Sequence, residues 1–157
     1  MLPIRVILHP MDFADESMPA FRMASLLGRD YGARLILLLV TPPTVSSDVA
    51  PVAADSLAGW AEEKFRELDV AGLSVQYVLK DGDPIEQILG LARSTLTDMI
   101  VMATHGRTGV SRLMLGSVAE EVVRQAPCPV LMVRTIAPAA VSESSAEVTA
   151  SEPALVS

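Results

Sequence analysis

Cysteine is almost missing from this chain. Cys128 is the single one in 157 residues, so no internal disulfide can form and a reducing compartment is expected. Zinc sites built from several cysteines are excluded for the same reason. The two histidines, His9 and His105, stand far apart and make no local metal-binding motif. Long apolar runs are absent too. The longest aliphatic stretch, Leu35–Val40, has six residues, against the roughly 20 that a membrane helix needs. At the N-terminus Arg5 stands alone, and Pro10 and Asp12 arrive too early for a signal peptide. A cytoplasmic location with no membrane partner is therefore expected. Positive charge is scarce: 12 Lys and Arg stand against 19 Asp and Glu, a net charge of −7. Nucleic-acid binding, which needs a basic footprint, is not expected. Aromatic residues make up only 4% while hydrophobic residues make up 50%, so the core must be aliphatic. A chain of this length buries about two-thirds of its unfolded surface and needs no staples.

Five β-type runs punctuate the first 134 residues: Ile4–His9, Arg34–Val40, Ser74–Leu79, Asp98–Ala103 and Pro129–Arg134. Most are nearly continuous Ile, Leu, Val or Met, the pattern of strands covered on both faces in a parallel sheet. Helical patterns lie between them. The first runs from Asp15 to Tyr31, where Gly32 is a good stop. The second runs from Ala53 to Asp69 with an apolar stripe at Leu57, Ala61, Phe65 and Leu68. The third opens with Asp83-Pro84-Ile85-Glu86, an acceptor cap followed by proline at the first helical position. The fourth opens with Ser117-Val118-Ala119-Glu120, the pattern of a capping box, and ends near Ala126. This β-α alternation predicts an α/β fold: a five-stranded parallel doubly wound sheet with helices on both faces. Residues 1–135 form the domain. Residues 136–157, rich in Ala, Ser and Val with three glutamates and no basic or aromatic residue, read as a flexible acidic tail. Thr41–Val52, with its prolines and serines, reads as a mobile connection or a flap over the strand ends.

One segment carries chemistry. From Ala103 to Ala119 there are two arginines, one histidine, two threonines, two serines and no acid. In an acidic chain this is a positive island. Its glycines let backbone N–H groups approach an anion. The helix that follows adds unpaired donors and the positive end of its dipole. These features describe a phosphate cradle. The competing reading needs no ligand: Ser117 with Glu120 caps the helix, and Gly106 and Gly109 are turn residues. The spacing matches neither a Walker A loop nor G-x-G-x-x-G. A second position of interest is Pro10-Met11-Asp12, expected just past the first strand. With strand order 3-2-1-4-5, strands one and four are neighbours at the crevice where open α/β sheets bind ligands, and Asp12 faces the glycine loop. Its carboxylate suits a ribose hydroxyl or an amino group, or it caps the next helix.

At these residues the sequence resembles the universal stress protein family, nucleotide-binding branch, over about residues 3–134. The family signature is G-x2-G-x9-G-[S/T]. Here Ala103 holds the first glycine position, Gly106 the second, and Gly116-Ser117 the end. The phrases THGRTG and LGSVAEEVVRQAPCPVLMV and the opening ILHPMDFADES carry the resemblance. It implies that Asp12, with Pro10 and Met11 alongside, meets the adenine or ribose. Val40 offers backbone groups to the adenine edge, and Met102 and Ala103 line the floor. His105, Gly106 and Arg107 approach the phosphates, and Gly116, Ser117 and Val118 hold the terminal ones. The implied ligand is ATP or AMP, with magnesium accompanying the phosphates. The implied assembly is a homodimer through the strand Pro129–Arg134. Two departures bear on affinity. Ala103 puts a methyl group where the family has glycine, a strained choice if the backbone there needs φ > 0. Met11 replaces the usual threonine and removes a hydroxyl donor.

Cys128 reads as a packed structural thiol with no nearby basic activator. His105 has no acidic orienter close in sequence and reads as a ligand contact or surface group. Trp60 reads as packing. The expected function is a nucleotide-gated, dimeric stress-response module with no catalytic residue. The rival expectations are a slow ATP hydrolase, with magnesium on Asp12 or Ser117, and a nucleotide-free dimerisation scaffold.

Overall fold

In the computed structural model, the described residues are 3–41, 52–104 and 116–134. Five strands, β1 (Val6–Met11), β2 (Arg34–Thr41), β3 (Ser74–Asp81), β4 (Met99–Ala103) and β5 (Val130–Val133), form one parallel sheet. Its order is β3-β2-β1-β4-β5, the expected one. Four helices connect them: α1 (Met18–Tyr31), α2 (Val52–Arg66), α3 (Pro84–Ser94) and α4 (Ser117–Gln125). A short 3-10 turn, Asp15–Ser17, leads into α1. The expected tail and the expected glycine-loop residues His105, Gly106 and Arg107 lie outside the described residues. So does the segment from Pro42 to Pro51.

Strand side chains alternate between two cores. Ile7, Leu35, Leu37 and Val101 face Phe21 and Ala24 of α1 and Ala61 and Phe65 of α2. Leu8, Ile36, Leu38 and Ile100 face Ile88 and Leu89 of α3 and Val122 of α4. Because each face is covered by helices, the central strands need apolar residues at every position, and β2 supplies Leu-Ile-Leu-Leu-Leu in a row. Each such buried side chain contributes about 1.5–3 kcal/mol. β3 is different. It is an edge strand with Tyr77 and Leu79 exposed, and its sequence is correspondingly mixed.

The helix punctuation works largely as the sequence implies. Gly32 sits at φ +61° and donates to the Gly28 and Arg29 carbonyls at the end of α1. Asp83 caps α3, its carboxylate accepting from the Glu86 N–H at 2.9 Å, and Pro84 occupies the first turn. Two expectations are corrected. β1 does not end at His9: Pro10 and Met11 are its last residues, paired with Leu38 and Leu39 of β2. Proline is tolerated there because the recorded β1–β4 ladder stops at Leu8↔Ile100, so a missing N–H at position 10 costs no bond on that side. The capping box at α4 does not form. Gly116 is the N-cap and Ser117 lies inside the first turn, with no capping side chain among the described residues. The Glu120 carboxylate instead pairs with Arg124 one turn on, at 3.1 Å.

Candidate functional site

A cavity of about 230 Å³ opens at the carboxyl end of the sheet. Its position follows from topology. β1 is where the strand order reverses, so the connections from β1 and β4 leave on opposite sides and a crevice remains between them. The lining includes Pro10, Met11 and Asp12 from β1 and its exit, Val40 from β2, and Met102 and Ala103 from β4. Gly116, Ser117 and Val118 at the start of α4 complete the set that the sequence anticipates. Nine of the twelve anticipated residues thus share one cavity; the other three are His105, Gly106 and Arg107.

The sequence reading missed Ser17, Leu38, Pro84, Ile88, Thr104 and Ala119 in the same lining. Two of these had a usable signal. In a right-handed β-α-β unit the start of a helix lies at the carboxyl end of the preceding strand. Pro84, first residue of α3, and Ile88, one turn on, therefore belong beside the crevice. Leu38 carried no signal distinguishing it from its neighbours in an all-apolar strand.

The chemistry of the lining is divided. Pro10, Met11, Leu38, Val40, Ile88 and Met102 make an apolar slot suited to a flat ring. Met11 and Met102 are each 6% exposed and join the cavity wall to the cores on the two faces of the sheet. Asp12 is the single ionisable side chain in the described lining. Its Oδ1 accepts the Ala14 N–H at 3.0 Å and the Ser17 hydroxyl. Asp12 is not a helix cap, since Ala14 and Ser17 hold the N-cap positions of the 3-10 turn and α1; its carboxylate orders the turn that precedes α1 and forms part of the cavity wall.

The two helix starts at the cavity differ. At α3 the Asp83 carboxylate already satisfies a first-turn N–H. At α4 the N-cap is Gly116, and among the described residues no side chain caps the first turn, where backbone N–H groups point toward the cavity end of the helix. Gly116 has φ −59° and ψ 148°, a conformation open to any residue. Among the described residues, a Cβ there would meet the Thr104 carbonyl oxygen at 3.4 Å, an ordinary contact. Neither the backbone angle nor the described neighbours require glycine at 116. What glycine supplies is open space beside the α4 donors.

Ala103 is likewise unstrained. It is the last residue of β4, paired with Val133, and it is not among the residues with positive φ. The expected penalty for alanine at the first signature position therefore does not arise from the backbone. No group of three or more His, Cys, Asp or Glu able to hold a metal occurs among the described residues. Cys128 packs against the α3–α4 core, and burial pushes its thiol up, which fits a structural thiol.

His9 lies beneath the site, fully buried. Its Nδ1 is 2.7 Å from the Val101 carbonyl oxygen. A carbonyl only accepts, so Nδ1 carries the proton and Nε2 faces the core as a lone pair. Nε2 has no hydrogen-bond partner among the described residues. Burial lowers the pKa from 6.5 to about 4, opposed by the bond to Val101 and by the charge of Asp12. The ring is a neutral part of the α1 core, tilted against Phe21 with centroids 6.2 Å apart.

The sequence profile of the Universal stress protein family matches residues 3–134. Universal stress protein MJ0531 of Methanocaldococcus jannaschii is 30% identical over 143 residues, covering 82% of this chain and 81% of that relative. The fold is similar to that of universal stress protein UspA from Lactobacillus plantarum. Its TM-score is 0.75 at 28% identity, covering 85% of this chain and 100% of the other. A universal stress protein crystallised in complex with cAMP shares the fold, with a TM-score of 0.64 at 22% identity over 85% and 98% of the two chains.

Proposed function

The chain belongs to the universal stress protein family, and on that premise we propose that it binds an adenine nucleotide, ATP or AMP, in the cavity between β1 and β4. One observation carries the reading: the Asp12 carboxylate and the start of α4, whose N-cap is a glycine, line the same cavity. An apolar slot for a base, an acceptor for a hydroxyl or amino group, and backbone donors for phosphate are three parts of one ligand. The family member crystallised with cAMP supports an adenine nucleotide as that ligand. Met102 and Ala103 form the floor, Pro10, Met11 and Val40 the base slot, and Gly116, Ser117 and Val118 the phosphate end. His105, Gly106 and Arg107 bring the donors and positive charge of the preceding loop to the same phosphates. Magnesium enters only as an ion accompanying them.

The protein acts as a nucleotide-gated binding module of the cytoplasm, dimeric through β5, and not as an enzyme. Phosphoryl transfer needs a positioned nucleophile and charge stabilisation around the transferred group. In the described lining the one carboxylate already holds Ala14 and Ser17. Slow ATP hydrolysis is the competing reading, favoured by Asp12 and Ser117 sharing the cavity. Mass spectrometry of ligand released from protein purified without added nucleotide tests the proposal. An adenine nucleotide in near-stoichiometric amount is the expected result. Its absence, together with no heat on titrating ATP or AMP, would refute nucleotide binding. ATP recovered intact after hours at 25 °C separates binding from turnover.

A further inference from the structure

Phe13 follows Asp12 at the exit of β1, and its φ is +58°. In this left-handed region a bulky side chain crowds its own backbone. Glycine or asparagine would adopt it at lower cost. Such an outlier persists only where its surroundings over-determine it, and here they are visible. The Phe13 ring meets Trp60 of α2 edge-on with centroids 5.5 Å apart, and Phe65 of α2 at 5.1 Å. Phe65 in turn meets Tyr77 of β3 at 4.7 Å. In a chain with one tryptophan, two tyrosines and three phenylalanines, four of these rings gather in one cluster around this turn.

The turn has a direct consequence for the cavity. Reversing the chain at Phe13 brings the Ala14 N–H and the Ser17 hydroxyl back onto Asp12 Oδ1. Those two bonds hold the carboxylate at the cavity wall, beside Met11 and Ser17. Phe13 itself is not in the cavity lining. Its ring is anchored to a helix 47 and 52 positions further along the chain, so the orientation of Asp12 depends on tertiary packing and not on the local turn alone. We propose that Phe13 is the positioning residue for Asp12: α2 clamps its ring, the clamp keeps the backbone left-handed, and that backbone aims the carboxylate at the ligand. This rests on the reading of the cavity as a nucleotide site.

A double-mutant cycle on the full chain tests it, with ATP as the calorimetric probe. Phe13→Ala is expected to weaken ATP about tenfold in the wild-type background and less than twofold in the Asp12→Ala background. Phe13→Tyr, which keeps the ring, is expected to stay within about twofold of wild type. Should Phe13→Ala fail to fold by circular dichroism, Phe13→Leu takes its place with the same expectations. A ligand-independent readout accompanies the cycle: hydrogen exchange of the Ala14 amide by NMR. It should accelerate at least about fivefold in the ring-deleted variant, relative to α3 amides, and return to the wild-type rate in Phe13→Tyr. Equal losses of affinity in both backgrounds, or an unmoved Ala14 exchange rate, would overturn the positioning role. A wild-type protein that does not bind ATP would remove the nucleotide reading instead, and Ala14 exchange would still decide whether Phe13 sets Asp12.

Discussion

Gly116 donates its backbone N–H to the carbonyl oxygen of Thr104 at 3.0 Å, so the start of α4 hangs from the end of β4. Thr104 in turn donates to the Val133 carbonyl oxygen of β5 at 3.1 Å. Three elements thus converge on the cavity edge through backbone bonds alone. Backbone bonds do not depend on the side chain at 116, and this separates folding from ligand binding there.

Gly116→Ala should therefore fold. The cap is exchanged for a poorer one, at about 1 kcal/mol or less. The methyl group enters the space beside the α4 donors, so ATP affinity should fall by about tenfold or more while adenosine changes little. Thermal melting and calorimetry with both ligands check the two halves. Loss of stability with unchanged ATP affinity would move the phosphates elsewhere.

Ser117→Ala now has a sharper expectation than its sequence pattern suggests. Ser117 is not the cap, so its loss should cost under about 0.5 kcal/mol of stability. A phosphate-donor role predicts a selective loss for ATP over adenosine. Equal affinities in the variant and wild type would remove the Ser117 hydroxyl from the phosphate site and leave the α4 backbone and the loop before it.

His9 predicts a pH dependence. Its pKa is 6.5 in the unfolded chain and about 4 when folded, so the unfolded state binds the proton more tightly. Stability from this group is fully present above pH 6.5 and is lost as pH falls toward 4. The total is about 3 kcal/mol, of which roughly 2 is gone by pH 5. Urea unfolding between pH 7 and 5 should show this slope, and His9→Phe should flatten it. A slope unchanged in His9→Phe would assign it to other groups.

Leu131 is 36% exposed on β5, an edge strand whose outer backbone groups lack a strand partner within the sheet. If two copies pair there, Leu131→Lys should shift the mass by light scattering from dimer to monomer at about 10–50 μM, with the fold retained. A wild type that is monomeric at that concentration would exclude the dimer.

What the sequence determined alone is what local chemistry decides. Covered strands announce themselves as aliphatic runs, Gly32 and Asp83-Pro84 mark helix ends through backbone angle and capping, and alternating elements with right-handed crossovers give a doubly wound parallel sheet. Topology then pointed to the carboxyl ends of the strands, and the family resemblance named the nine cavity residues one by one. Tertiary structure decided the rest. Whether Ser117 or Gly116 caps α4 depends on how Thr104 receives the chain, because both residues satisfy the local pattern. Asp12 both orders its own turn and lines the cavity, and the Phe13 ring in that turn packs against Trp60 and Phe65. No local rule places phenylalanine at positive φ; only packing from a distant helix offsets that cost. His9 reads as one more residue of an apolar strand, and only burial against α1 and the Val101 carbonyl fixes its tautomer and removes its charge.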